Sequence, residues 1–203
     1  MCIRDRDAGL YLTEIGSDFL TQGRRAVDWM EQTLADAPAS ILHIQGTYGA
    51  TAQLMRTKAI CDAVEAHDNW HFAGQLAGDY TESKAYEEVR DFLKTGAEFN
   101  VLYSENDNMT FGAMRAMDEA GITYGQGGQV CIVSFDAVRR ALTACMEGKI
   151  NLCVECNPLH GPRVVELIRQ YLNGQEIPKQ IFVEEQVFTP EDLTQEFIAG
   201  REY

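Results

Sequence analysis

Basic residues are scarce in this chain. It has 17 Lys and Arg against 31 Asp and Glu, a net charge of −14 with His neutral. That balance excludes a nucleic-acid partner, because phosphate binding needs clustered cations. The paired basic residues Arg24-Arg25 and Arg139-Arg140 read as solvated helix faces. No apolar run reaches the roughly 20 residues of a membrane-spanning helix. The first residues, 1–7, are polar and too short to hold the apolar segment of a signal peptide. The 4 histidines (His43, His67, His71, His160) have no metal spacing, and the 6 cysteines have no zinc spacing. Cys153-Val154-Glu155-Cys156 is formally C-x-x-C, but it lies in a strand-like run rather than at a helix start. The cysteines read as buried free thiols, with a disulfide as the alternative. Gly46-x-x-Gly49 lacks the Gly-Lys-Ser/Thr ending of a phosphate loop. No Ser-His-Asp set, carboxylate pair or cofactor fingerprint is present, so neither an enzyme nor a cofactor is expected.

What is present is alternation. At 203 residues the chain can hold one ordinary domain, or one domain plus pieces of another. Strands are expected over 10–15, 41–44, 70–77, 100–103, 130–135 and 151–156. Helices are expected over 20–34 behind an Asp18 cap, 50–66, 82–95, 109–120 and 137–147. Gly96 and Gly121 close the third and fourth. Strict alternation of this kind implies an α/β fold with a parallel, Rossmann-like sheet covered on both faces. The pattern changes after Pro158. A helix then runs over 162–172, residues 181–187 alternate like a strand, and a short terminal helix starts near 189–192.

In an open α/β sheet, ligands bind beyond the carboxyl ends of the strands. Asn106 and Asp136 each follow an apolar run at such an end. They offer an amide and a carboxylate to one crevice, which suits a ligand rich in hydroxyl groups. The competing reading of each is a helix N-cap. Arg56 lies in a helix after the Gly46–Gly49 loop. Its guanidinium has five donors in a rigid fork and could grip two oxygens at once, or it could be a surface arginine. Tyr80 and Phe135 could cover the apolar face of such a ligand or simply fill the core.

Five motifs, in order and at matching spacing, carry a family likeness. They are Gln45-Gly46-Thr47-Tyr48-Gly49-Ala50-Thr51 with Arg56; Gly78-Asp79-Tyr80; Glu105-Asn106-Asp107-Asn108-Met109; Ser134-Phe135-Asp136; and Glu147-Gly148-Lys149 followed by Val154-Glu155-Cys156-Asn157-Pro158. From about Leu10 onward the chain resembles the sugar-binding proteins of bacterial ABC importers, of the type 1 periplasmic-binding-protein fold, nearest the galactofuranose- and ribose-binding group.

The resemblance implies two α/β lobes joined by three strand crossings, with a monosaccharide (a pentose or hexose, a furanose included) held between them and passed to an ABC permease. It implies that residues 18–157 form the carboxy-terminal lobe. Residues 1–17 would be a remnant of the other lobe, and 158–203 a crossover helix, strand and terminal segment that pack on that lobe or return from it. About 100 residues of amino-terminal lobe would then precede Leu10. The place of action would be periplasmic or extracytoplasmic, with a signal peptide upstream and a lipid anchor in a Gram-positive cell.

Arg56, Asn106, Asp136, Tyr80 and Phe135 fall on the family's sugar contacts, and Ser17 and Thr47 on minor ones. At the last crossing strand the ribose binders' Gln position falls on Cys156. Thiol is a poor hydrogen-bond partner, so a contact through Glu155, or a different sugar, is expected. Met1 to Arg6 match nothing in the family, and Asp5-Arg6 lies too close to Leu10 to be its sugar-binding Asp-Arg pair. The effector-binding core of a lac-repressor-type regulator shares the fold and is the alternative.

Overall fold

Strands buried on both faces read as apolar runs without clean alternation, and the central strands of this chain are built that way. The computed structural model describes residues 8–203. In chain order the elements are β1 (Glu14–Gly16), α1 (Phe19–Leu34), β2 (Ala39–Gln45), α2 (Thr51–Ala66), β3 (Trp70–Ala77), α3 (Glu82–Leu93), β4 (Val101–Ser104), α4 (Asp107–Ala120), β5 (Cys131–Asp136), α5 (Arg139–Met146), β6 (Leu152–Glu155), α6 (Gly161–Leu172), β7 (Gln180–Phe182), β8 (Val187–Phe188) and α7 (Gln195–Gly200).

Six strands form one sheet in the order β3-β2-β4-β5-β6-β8. The first five run parallel, and β8 is antiparallel to β6. A separate parallel pair, β1 with β7, forms a two-stranded sheet. Helices α1 and α2 cover one face of the large sheet through Ala26, Met30 and Ile60 against Ile41, Tyr103 and Val133. Helices α3, α4 and α5 cover the other through Val89, Met117 and Leu142 against Leu42, Leu102 and Ile132. Fully burying each Val, Leu, Ile or Met among them contributes about 1.5–3 kcal/mol.

The order fixes where a ligand can sit. From β2 the chain first adds β3 on one side, then crosses to add β4, β5 and β6 on the other. A doubly wound sheet opens a crevice at such a reversal, beyond the carboxyl ends of the strands. Here that is the end of β2 and β4.

Several element boundaries differ from the sequence expectation. The strand expected over 10–15 is shorter, because Ala8–Leu10 forms a 3-10 turn and pairing starts at Glu14. The strand expected over 181–187 is two strands in two sheets, with residues 183–186 crossing between them. Helix α4 starts at Asp107, two residues early, because Asn106 caps it by accepting from the Met109 N–H. Helix α5 starts at Arg139, because Asp136 and Ala137 hold positive φ and cannot be helical. Residues Met1 to Asp7 lie outside the described residues, so the readings placed on Met1 to Arg6 and on Asp5-Arg6 do too.

Helix α6 buries none of its residues. Its Val165, Ile168, Tyr171 and Leu172 are exposed, as are Leu10, Leu12 and Phe182 near the two-stranded sheet. Residues 187–203 instead return to the large sheet, through β8 on β6 and Ile198 in the core under α5. The described cysteines Cys61, Cys131, Cys145, Cys153 and Cys156 are free thiols.

Candidate functional site

Arg56 is the centre of the crevice. Helix α2 carries it inward, and it is 2% exposed. Its Nε and one terminal nitrogen donate to Gln22 Oε1, at 3.0 and 2.7 Å. The same terminal nitrogen reaches Asp136 Oδ1 at 3.2 Å, and the other donates to the Glu105 carbonyl. The fork therefore joins the ends of β4 and β5. The guanidinium also lies over the Phe135 ring, 4.7 Å from its centroid, and 5.4 Å from that of Phe19. Burial works against its charge, but Asp136 and other nearby groups outweigh that, and its pKa rises above the ordinary arginine value.

Asp136 is the solvent-facing end of this pair, with a side chain 31% exposed. It sits at φ +101°, followed by Ala137 at +59°. Left-handed backbone at a residue other than Gly is strained, and such strain concentrates at functional sites. Asp79 at +50° and Tyr80 at +59° form a second such pair after β3. Behind Asp136 lies Asp107, 1% exposed. Its Oδ1 accepts from Ser134 Oγ at 2.5 Å and its Oδ2 from the Val138 N–H at 2.8 Å. Burial, and then repulsion from Asp136, push its pKa up to about 8 despite those donors.

A second buried carboxylate holds the crevice in shape. Glu105 is fully buried. Its Oε1 takes the Thr57 hydroxyl at 2.6 Å and His43 Nε2 at 3.0 Å, and its Oε2 takes the Gly46 N–H at 2.8 Å. This ties β2 and the loop after it, the middle of α2 beside Arg56, and the end of β4 together. The Tyr80 ring rests directly on Gly46, where a Cβ would overlap it. Gly46→Ala is therefore expected to destabilise the fold by about 1–3 kcal/mol through overpacking. Adding Tyr80→Ala should recover much of that loss, because it removes the ring that clashes. Urea titration of the two single variants and the double variant checks this, and purely additive losses would count against it.

The structure brings Arg56 and Asp136 into contact and places Asn106 one residue from the Glu105 carbonyl that Arg56 binds. Asn106 is mostly buried, with its Oδ1 on the Met109 N–H, so it does cap α4. Tyr80 lines the loop beside them. Thr47 is exposed in the loop between β2 and α2. Three expected contacts are placed differently. Phe135 is fully buried, so its ring packs against Arg56 and Tyr103 rather than facing solvent. The Ser17 hydroxyl is buried on Glu185 Oε1 at 2.5 Å and lies 3.4 Å from Cys156 Sγ. Glu155 is buried, with Oε2 on the Gln186 N–H at 2.9 Å and Oε1 on the Tyr203 hydroxyl and on Arg201 at 3.0 Å. These three carry the frame around the crevice rather than its surface.

The sequence reading missed Gln22, Glu105, Glu185 and Phe19. Glu105 lies in the Glu105–Met109 motif, but nothing local distinguishes it from its neighbour Asn106. Gln22 and Glu185 are ordinary polar residues in a helix and a crossing, and no spacing rule links positions so far apart in the chain. For Asp136 and Asp79 a weak signal existed, because Asp tolerates left-handed backbone better than most residues.

Comparison with known proteins says to which family this doubly wound α/β lobe belongs. The profile of the periplasmic binding protein domain matches residues 3–176, and this chain belongs to that family. The match starts at residue 3, so residues 3–6, expected to match nothing in the family, fall within it. The galactofuranose-binding protein YtfQ of Escherichia coli (strain K12) is 28% identical over 179 residues, which are 87% of this chain and 56% of that protein. The ribose import binding protein RbsB of Haemophilus influenzae is 28% identical over 188 residues, 91% of this chain and 62% of that protein. The periplasmic binding component of the arabinose ABC transporter from Shewanella sp. ANA-3, solved with α- and β-L-arabinofuranose, superposes with a TM-score of 0.84 at 33% identity, covering 92% of this chain and 62% of the other. A Mycobacterium smegmatis protein in complex with β-D-fucofuranose gives 0.84 at 32% identity, covering 92% and 61%. The chain thus spans a little over half the length of the proteins it matches. Among the described residues, no helix is long and apolar enough to cross a membrane.

Proposed function

We propose that this chain belongs to the solute-binding component of an ABC importer, acting outside the cytoplasm, and that it binds a monosaccharide over the ends of β4 and β5 and delivers it to a permease. The observation that carries the reading is the Arg56–Asp136 pair over the ends of β4 and β5, beside the switch of the doubly wound sheet, with its partly exposed carboxylate on strained backbone. Asp136 accepts from sugar hydroxyls, Arg56 holds it and donates, and Asn106 and Tyr80 flank the ring. Residues 18–157 form the sugar-binding lobe, and 187–203 complete it. The segments β1, α6 and β7 belong to a second lobe. A furanose ring is the first form to test, because furanose complexes are among the similar structures. The relatives bear names of binding proteins, which favours import over the regulator reading.

The test is calorimetry with L-arabinose, D-galactose, D-ribose and D-fucose, on the 203-residue chain and on the longest open reading frame that contains it. In the latter at least one sugar is expected to bind at micromolar or tighter concentration. Asp136→Ala should then weaken binding by about 1.5–3 kcal/mol, because charge-assisted hydrogen bonds vanish and their partners stay unpaired. A sugar held from one side keeps half its surface in water, and the entropy lost on binding is not offset. The 203-residue chain by itself should therefore bind far more weakly. Absence of binding for every sugar in the longer protein would sink the proposal.

A further inference from the structure

Three chain segments connect the two sheets: the residues around 17 between β1 and α1, those around 157 between β6 and α6, and those around 185 between β7 and β8. One buried carboxylate holds all three. Glu185 is 7% exposed. Its Oε1 accepts from the Ser17 hydroxyl at 2.5 Å and from the Asn157 N–H at 2.9 Å. Its Oε2 accepts from Gln22 Nε2 at 2.7 Å, and its backbone carbonyl takes Arg25 at 2.5 Å. Gln22 is fully buried, and its other amide atom, Oε1, holds the Arg56 guanidinium. The path from the crevice to the connecting segments is thus unbroken: Asp136, Arg56, Gln22, Glu185, then Ser17 and Asn157.

We infer that Gln22 is a positioning residue that couples the state of the Arg56–Asp136 crevice to the three segments joining the sheets, with Glu185 as the junction. The amide is suited to this place by its chemistry. A guanidinium has donors alone, so it needs an oxygen, and a carboxylate accepts, so it needs an N–H. A neutral amide supplies one at each end, in one orientation. A Glu at this position would set its carboxylate against that of Glu185, and an apolar side chain would leave both charges unlinked. A ligand that draws on Asp136 moves the Arg56 fork, and a rigid buried network passes that displacement to the point where the two parts of the chain can pivot. What occupies the crevice rests on the sugar-binding reading, whereas the relay does not.

The test is therefore run first without ligand. Amide exchange is followed by NMR at the Asn157 N–H, with Leu42 and Ile132 of the central strands as internal references. Asp136→Asn is expected to speed exchange at Asn157 by about threefold or more, a coupling of the size seen within one hydrogen-bond network. In a Gln22→Met background the same change should leave Asn157 unaltered. If Gln22→Met does not fold, Glu185→Gln replaces it. That variant keeps an oxygen for Ser17 and Asn157 but sets two amides against each other, so it breaks the path at the next link. In the longer reading frame, with L-arabinose as probe, Gln22→Met should raise the dissociation rate about tenfold and leave association within about twofold, the usual division for a change that does not touch the entry path. Equal effects of Asp136→Asn in both backgrounds, or no effect in either, would overturn the relay even if sugar binds. Failure of the unsubstituted longer protein to bind sugar, with the exchange cycle intact, would overturn the crevice reading and leave the relay standing.

Discussion

Arg56→Met is expected to destabilise the folded chain by about 3–5 kcal/mol, the cost of removing one partner from a buried charged network. Methionine fills nearly the same space, so the loss is not mainly a cavity. It comes from groups left without donors. Gln22 Oε1 loses both its N–H partners, and the Glu105 carbonyl at the end of β4 loses its guanidinium. The Asp136 carboxylate contributes less, because its side chain is 31% exposed and water can replace the lost contact. Arg56→Lys keeps the charge but not the fork. It can satisfy one or two of these oxygens and should cost about 1–3 kcal/mol, the penalty of the acceptors left over. Urea or guanidinium titration gives both numbers. A loss below about 1 kcal/mol for the methionine variant would show that the network contributes little beyond packing, and the case for Arg56 as the organiser of the crevice would fail with it.

Such residues explain what could and could not be read from the sequence. The fold was legible because its signals are local. Apolar runs at strand length alternate with amphipathic stretches, Asp18 caps α1, and Gly121 closes α4 in the left-handed conformation. The meeting of Arg56 and Asp136 was legible because Asp136 ends a strand and Arg56 follows the loop after β2, each in a motif of recognisable spacing. Three residues expected at the crevice surface are buried in its frame for a common reason. Phe135, Ser17 and Glu155 lie beside the crevice in sequence, but side chains alternate along a strand or crossing. A position next to a site residue therefore points into the frame as often as into the cleft. The strand expected over 181–187 failed for a different reason. Its alternation is genuine, but the chain leaves one sheet and enters another between Phe182 and Val187. Composition carries no mark of that change of partner. The Gln22–Glu185 contact spans 163 residues and is visible once the chain is folded.

Asp107→Asn is expected to change how stability depends on pH, and to do so with the sign opposite to ordinary acid denaturation. Burial and the Asp136 charge push the Asp107 pKa from the carboxyl value of 3.8 up to about 8. Between those values the folded chain holds a proton that the unfolded chain has released. Stability contributed by this group is therefore full below pH about 4, and it declines as pH rises, by up to roughly 1.4 kcal/mol per unit, until ionisation in the folded state is complete above about 8. The hydrogen bonds accommodate the neutral acid. A proton on Asp107 can be given to Ser134 Oγ, whose own hydrogen then reaches Thr110 Oγ1 at 2.7 Å, which in turn donates to the Asn106 carbonyl at 3.0 Å. Asparagine reproduces this state, with its NH2 toward Ser134 and its oxygen toward the Val138 N–H, and it does not titrate. Other groups give the whole chain its own pH profile, so the quantity to measure is the difference in unfolding free energy between the parent and Asp107→Asn. That difference should fall steadily from pH 5 to pH 8, and the Asn variant should be the more stable of the two at the upper end. Asp136→Asn removes the repulsion, so it should move the ionisation of Asp107 lower and end the decline at a lower pH than in the parent. A difference that stays constant across the range, or an Asn variant markedly weaker at pH 8, would show that Asp107 is ionised in the folded chain and accepted there by its two donors.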